Sequence, residues 1–255
     1  MSGKDNASET LAKGLRVLDL FGNEEGGFTL GQIASQVGIN KTSVYRYVNT
    51  LCEMGFLRQD ERTRLYRTGA RMLALAHAML ERSELVKQVR PLVDEVRRTY
   101  DLHVDVGILA GGTIHLVYRR ESRDTRAFRS FISTSELHYL ATGKAALAFM
   151  EPDEREACLQ NLTLTAKTDK TITDKTALLA DLEKAREKGY ALNNEEFVPG
   201  LIAIAAPLFS LRTGKVVGGV SFDATTDRFS MKEFEIQYGG YIVELAKKIA
   251  AVASL

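Results

Sequence analysis

Thr29-Leu30-Gly31-Gln32-Ile33-Ala34-Ser35-Gln36-Val37-Gly38-Ile39-Asn40-Lys41-Thr42-Ser43-Val44-Tyr45-Arg46-Tyr47-Val48-Asn49-Thr50-Leu51 decides the fold of the first part of the chain. Thr29 and Gln32 fit a capping box, in which the threonine oxygen and the glutamine side chain satisfy each other's backbone N–H groups. Leu30, Ile33, Ala34 and Val37 form the apolar face of the helix that follows. Gly38 suits a left-handed helix end, and Asn40 suits the cap of the next helix. Helix, glycine turn, helix is the helix-turn-helix pattern. In the second helix Val44, Tyr47, Val48 and Leu51 fall within an arc of about 100° and face the small core. The opposite side carries Thr42, Arg46 and Asn49, flanked by Ser43, Tyr45 and Thr50. An ordinary solvated face favours Glu and Lys; this one offers groups able to read base edges or hold phosphates.

Outward from that core, Thr10 is expected to cap a first helix carrying Leu11, Leu15, Val17, Leu18 and Phe21, with a break from Gly22 to Gly27. Downstream, Gly55 ends the recognition helix. Phe56-Leu57-Arg58 and Leu65-Tyr66-Arg67 read as two short strands around Asp60 to Thr63. Such a hairpin is a wing, with Arg62 and Arg64 at its tip to meet the sugar-phosphate backbone or minor groove. Lys41 and Ser43 are placed for the same backbone. The stretch from Lys41 to Arg71 holds seven bases and three acids, while the whole chain is balanced at 34 Lys and Arg against 33 Asp and Glu. One basic surface on a near-neutral chain fits a polyanion partner; by charge alone, a solvated charged face fits as well.

The chain has 255 residues, 45% apolar and 26% charged, enough to bury a sizeable core and against wholesale disorder. No uncharged apolar run nears the roughly 18 residues that span a bilayer. Met1 to Thr10 is polar and lacks a signal-peptide core, so a cytoplasmic protein is expected. Cys52 and Cys158 stand alone, without metal spacing. Three parts are expected: a winged helix-turn-helix over 1–68, a linker helix over 69–82 and a larger domain over 83–255. In the linker, Met72, Leu73, Leu75, Ala76, Met79 and Leu80 make a wide apolar stripe, which serves either as core or, as expected for a helix joining two domains, for pairing with a second copy.

The larger domain mixes hairpins and helices, which argues for an α+β fold with an antiparallel sheet flanked by helices. A helix is expected over 85–100, with Pro91 in its first turn or at a kink. Strands are expected over 104–109 and 113–118 around Gly111-Gly112, over 128–135, and over 201–211 and 216–223 around Arg212-Thr213-Gly214. Helices are expected over 143–150, 153–160 and 174–188, the last stopped by Gly189, and Ser230 caps a final one. Phosphate loops, dinucleotide fingerprints and nucleophile elbows are all missing, so neither enzyme nor cofactor is expected. His103 and Asp105 share one side of a predicted strand without a third ligand in view, and no metal is expected. Neighbouring acids such as Glu195-Glu196 and Asp153-Glu154 point apart. Leu201 to Pro207 faces Gly218-Gly219, Ser221 and Asp223, and these small residues either leave a cavity with Ser221 and Asp223 as polar contacts or let a helix approach.

Lys13 to Phe21, Ile33-Ala34, Gly38 to Arg46, Leu51 to Leu57 and Tyr66 to Gly69 resemble the N-terminal domain of the IclR family of bacterial transcription regulators. Gly143 to Ala148, Gly189-Tyr190-Ala191, Asn194-Glu195-Glu196, Gly200-Leu201, Ala205-Ala206-Pro207 and Gly214 to Gly218 continue the resemblance in order to the far end. It implies a winged helix-turn-helix joined by a helix to a GAF-like effector domain. It also implies a homodimer or dimer of dimers on palindromic double-stranded operator DNA, answering to a small organic or aromatic acid. The effector pocket it implies maps to Tyr139, Leu140, Ala141, Thr142, Asn194, Ala203, Ser221 and Asp223. Some members hold a small acid with an Asp, a Cys and two Ser at four of these positions. Here Asn194, Ala203, Ser221 and Asp223 imply a different, larger or less anionic ligand than glyoxylate or pyruvate. The rival reading is a ligand-binding or enzymatic GAF-like protein whose N-terminal helices only dimerise it; the polar helix face and basic wing argue against that.

Overall fold

The computed structural model describes residues 8–22, 26–123 and 132–253. The expected polar N-terminus, part of the break after Gly22, and residues 128–131 of an expected strand lie outside them. Contacts divide the chain into two units, Met1–Arg82 and Ser83–Leu255.

The first unit holds helices α1 (Glu9–Asp19), α2 (Leu30–Val37) and α3 (Lys41–Glu53), the hairpin β1 (Leu57–Gln59) and β2 (Tyr66–Thr68), and α4 (Ala70–Arg82). Its core is Val17, Phe21, Phe28, Ile33, Ala34, Val44, Val48, Leu57 and Tyr66, all buried. The capping box at Thr29 and Gln32 is present, and Gly38 ends α2 at φ 65°, a left-handed conformation that a Cβ would strain. Asn40 Oδ1 accepts from the Ser43 N–H 2.9 Å away and starts α3. For α1 the cap is Ser8 rather than Thr10: the serine oxygen meets the Leu11 N–H, and Thr10 already lies inside the helix. Phe28 bridges Tyr66 and adds a third short pairing to the wing. Gly69 seals the junction to α4, since a Cβ there would stand 2.2 Å from the Gly55 carbonyl oxygen.

The second unit begins with α5 (Glu84–Tyr100), which carries Pro91 in its interior rather than its first turn. β3 (His103–Ala110) and β4 (Thr113–Arg120) follow around Gly111-Gly112, whose φ values of 57° and 78° are those of a tight hairpin turn. Then come β5 (Ser133–Thr134), α6 (Ala141–Phe149), α7 (Pro152–Asn161), α8 (Lys175–Lys188), β6 (Ala191–Asn194), β7 (Leu201–Phe209), β8 (Val216–Thr225) and α9 (Met231–Val252). One six-stranded antiparallel sheet results, in the order β5-β4-β3-β8-β7-β6. β6, which the residue pattern did not announce, closes one edge.

Two cores use the two faces of this sheet, because side chains alternate along a strand. Val104, Val106, Ile202, Ile204, Val220 and Phe222 pack against α5 and α9 on one face. Ile114, Ala203, Ala205 and Ala191 pack against α6 and α8 on the other. The α+β architecture is the one expected, and no described helix is long and apolar enough to cross a membrane.

Candidate nucleic-acid interface and ligand site

α3 buries only Val44 and Val48 completely, with Tyr47 and Leu51 half-buried behind them. Lys41, Thr42, Tyr45 and Arg46 are exposed on its other side, with Ser43 and Asn49 partly so. Tyr45 leaves 51% of its surface in solvent. Among the described residues, the side chains of Arg46 and Asn49 meet no hydrogen-bond or ionic partner, so their donors and acceptors are free to meet a duplex.

The wing turn is built by Asp60. Its Oδ1 accepts from the N–H groups of Arg62 at 3.1 Å and Thr63 at 2.7 Å, and from the Thr63 hydroxyl at 2.9 Å. Those bonds hold the Asp60 carboxyl below its usual pKa. Arg64 takes a left-handed φ of 57°, and its carbonyl accepts from the Gln59 side-chain amide. The Arg62 and Arg64 side chains are both exposed at the tip. All eight residues expected to meet DNA therefore lie in one unit, on α3 and on the wing tip.

The residues expected to line a ligand site sit at the start of α6 and on the sheet face that it covers. Tyr139, Leu140, Ala141 and Thr142 are buried. A Cβ on Gly219 of β8 would stand 3.3 Å from the Thr142 carbonyl oxygen, so this glycine admits the helix. Two residues further along the same face comes Ser221, and then Asp223. Asp223 pairs across the ladder with Ala203 on one side and His103 on the other. Gly219 thus serves packing, and Ala203 is itself buried in the core beneath α6 and α8, beside Ser221 and Asp223 on the same face.

Asn194 is a correction. It pairs with Ile202, whose side chain belongs to the opposite face, and is exposed. The strand period of two puts Asn193 on the Ala203 face instead. Buried Asn193 donates through Nδ2 to the Tyr139 carbonyl at 2.5 Å and accepts from the Glu196 N–H at 3.0 Å. It ties the segment before α6 to the sheet.

The same face gathers charges from three strands. Arg119 of β4 donates from Nε and Nη2 to both oxygens of Asp105 on β3, at 2.7 and 2.5 Å. His103 Nε2 lies 3.0 Å from Asp105 and 3.8 Å from Asp223. Burial opposes charging His103, but the hydrogen bond to Asp105 and the two carboxylates outweigh it and raise the imidazole pKa. For Asp105 burial is likewise outweighed, by Arg119 and His103, and its carboxyl is held low. Asp223 is pushed up to about 6 by burial and by the charge on Asp105, although the Ser221 hydroxyl bonds to it. His103, Asp105 and Asp223 bring ligand atoms within 4.8 Å of one another, so the third group that the sequence left out of view is Asp223. Both Asp105 oxygens, however, already hold the Arg119 guanidinium.

Lys144 was not among the expected site residues. It is 1% exposed in α6, between Asp181 of α8 at 2.9 Å and Glu196 at 2.7 Å. Burial raises the Glu196 pKa against the pull of Lys144. A single lysine inside Gly143-Lys144-Ala145-Ala146-Leu147-Ala148 is the signal that could have marked a buried ion pair. Glu195, by contrast, turns away at a left-handed φ of 62° and pairs with Lys170.

Residues 10–61 match the family model described as the IclR helix-turn-helix domain, and residues 77–251 match the bacterial transcriptional regulator IclR C-terminal domain. The chain belongs to the IclR family. This family consists of transcriptional regulators, not enzymes, which removes the enzymatic rival reading. One IclR-family relative, the HTH-type transcriptional regulator BhcR of Paracoccus denitrificans, is 35% identical over 221 residues, 86% of this chain and 78% of its own. The solved IclR regulator of Alicyclobacillus acidocaldarius superposes with a TM-score of 0.82 at 23% identity, over 97% of this chain and 99% of that one. An IclR homologue from Microbacterium hydrocarbonoxydans, solved with 4-hydroxybenzoate, gives 0.72 at 22% identity, over 96% and 99%.

Proposed function

We propose that this IclR-family chain is an effector-responsive regulator that binds palindromic operator DNA in the cytoplasm. The single observation that carries the reading is the outward face of α3: Thr42, Tyr45, Arg46 and Asn49 stand exposed on a helix pinned from behind by Val44 and Val48. These side chains meet base edges in the major groove, Arg46 suiting guanine and Asn49 suiting adenine. Lys41, Ser43, Arg62 and Arg64 hold phosphates or the adjacent groove.

A second copy completes the DNA reader. α4 buries none of its residues, and Leu73, Leu75, Met79 and Leu80 are exposed together with Leu11 and Leu15 of α1. So much apolar surface within one small unit fits a homodimer or dimer of dimers. Two recognition helices then meet half-sites about 34 Å apart, or a multiple of it.

The effector is a small organic or aromatic acid, held at Tyr139 to Thr142, Ala203, Ser221 and Asp223, with Asn193 as the support of that wall. The relative solved with 4-hydroxybenzoate supports an aromatic acid as one member of the class. Binding changes operator affinity only as far as the ligand prefers one state of the protein over the other.

Selection of duplexes from a randomised pool by the full-length protein tests the reading. Enriched sites are palindromic, with half-site centres about 10 base pairs apart or a multiple of that, and organic or aromatic acids change the affinity for them. A pool that stays random through successive rounds contradicts it.

A further inference from the structure

Asp105 and Asp223 lie in one cluster but share its cations unequally. Asp105 has the Arg119 guanidinium on both oxygens and His103 at 3.0 Å. Asp223 has the Ser221 hydroxyl, and His103 only at 3.8 Å, beyond hydrogen-bond reach. Its side chain keeps 14% of its surface exposed, against 5% for Asp105. Across the ladder stands Ala203, whose methyl offers neither donor nor bulk. Asp223 is therefore an acceptor with unused capacity, still partly exposed, on the face covered by the start of α6.

A carboxylate accepts hydrogen bonds and repels oxygens that can only accept. A carbonyl oxygen brought to Asp223 meets lone pairs; an amine or hydroxyl brings the missing proton. The start of α6 supplies the opposite pole. Leu140 gives no side-chain cap, and the N–H groups of Ala141, Thr142 and Gly143 meet no acceptor among the described residues. They suit the carboxylate of the same ligand.

We infer that Asp223 sets effector specificity, selecting an organic acid that carries an amine or hydroxyl over the keto or formyl acid of the same skeleton. The inference rests on the effector reading above and narrows it to donor-bearing acids. Arg119 and His103 are positioning residues: they hold Asp105, and through it the His103 ring, so that Asp223 is left turned to the ligand.

The test uses carbon-matched trios: alanine, lactate and pyruvate; aspartate, malate and oxaloacetate; 4-aminobenzoate, 4-hydroxybenzoate and 4-formylbenzoate. Each is titrated into the full-length protein, read by melting shift and by release of a selected duplex. Within a trio that binds, the amino or hydroxy member binds about ten-fold more tightly than the keto or formyl member, the worth of one hydrogen bond to a charged acceptor. Asp223→Ser removes that preference or reverses it, and Asp223→Asn, nearly isosteric, weakens it with the fold retained. Equal or tighter binding of the keto or formyl member, or a preference untouched in both variants, overturns the inference while leaving the effector reading in place. If no trio acts and duplex binding is intact, the effector reading falls and takes this inference with it. A melting shift by Zn²⁺ alone that His103→Ala abolishes would give the cluster to a metal and also overturn it.

Discussion

α3 and α6 are opposite solutions to placing polar groups on a helix. α3 hides two residues completely and leaves Thr42, Tyr45 and Arg46 in water. α6 is buried from Ala141 to Leu147 and on to Ala148, lysine included. Polar groups on α3 are already solvated, so the fold does not depend on them and they are free to serve a partner. On α6 the one charge must be neutralised internally, because a buried unpaired ion costs several kcal/mol. Function on α3 is therefore separable from stability, whereas on α6 the two are tied together.

Removal of the α6 charge is the most severe way to press on that contrast. Lys144→Ala strands Glu196, a buried carboxylate with one oxygen already lacking a hydrogen-bond partner, and costs about 3–5 kcal/mol in urea unfolding of the second unit. A loss below about 1 kcal/mol, the worth of a surface pair, would show that α6 is far wetter than described. Next in size is Gly143→Ala. Its Cβ would stand 2.3 Å from the Leu137 carbonyl oxygen, an overpacking that costs about 1–3 kcal/mol by the same readout.

Acid titration gives a smaller signal. The Asp223 carboxyl titrates near 6 in the fold, above its ordinary value of about 3.9. A raised carboxylate pKa means that the folded state takes up the proton first. This group therefore weakens the fold above pH 6, and the penalty disappears as pH falls from 6 towards 4. Asp223→Asn should accordingly raise the melting temperature at pH 8 relative to wild type and lose that advantage by pH 4.5. An equal offset at both pH values would mean that Asp223 titrates normally. On the wing, Arg62→Ala leaves the melting temperature unchanged, weakens binding to all duplexes alike and lowers the slope of log affinity against log salt by about one. An unchanged slope would remove Arg62 from the phosphate contacts.

The two helices also differ in how much of them the sequence discloses. Everything that shapes α3 is local: the Thr29–Gln32 box, left-handed Gly38, the Asn40 cap and a helical period that sorts core from surface within thirteen residues. The hairpin at Gly111-Gly112 and the Ser230 cap of α9 are local in the same way. The candidate ligand site is assembled instead by pairings between distant strands. His103 meets Asp223 only because β3 lies beside β8, and Arg119 reaches Asp105 only through the β3–β4 register. Asn194 misleads for a related reason. In a four-residue strand the alternation gives no phase of its own, and the pairing with Ala203 is what selects Asn193. Lys144 reads as a solvated lysine until Asp181 and Glu196 are brought to it by α8 and the β6 edge.

The central claim is that the exposed face of α3 reads sequence. The most direct measurement is the ratio of affinities for a selected duplex and its scrambled counterpart, for wild type and Arg46→Ala, at one salt concentration. Arg46→Ala should cut that ratio by about 10- to 100-fold, the 1–3 kcal/mol of a bidentate base contact, with an unaltered melting temperature. A ratio equal to that of wild type would contradict the claim and move recognition elsewhere on the molecule.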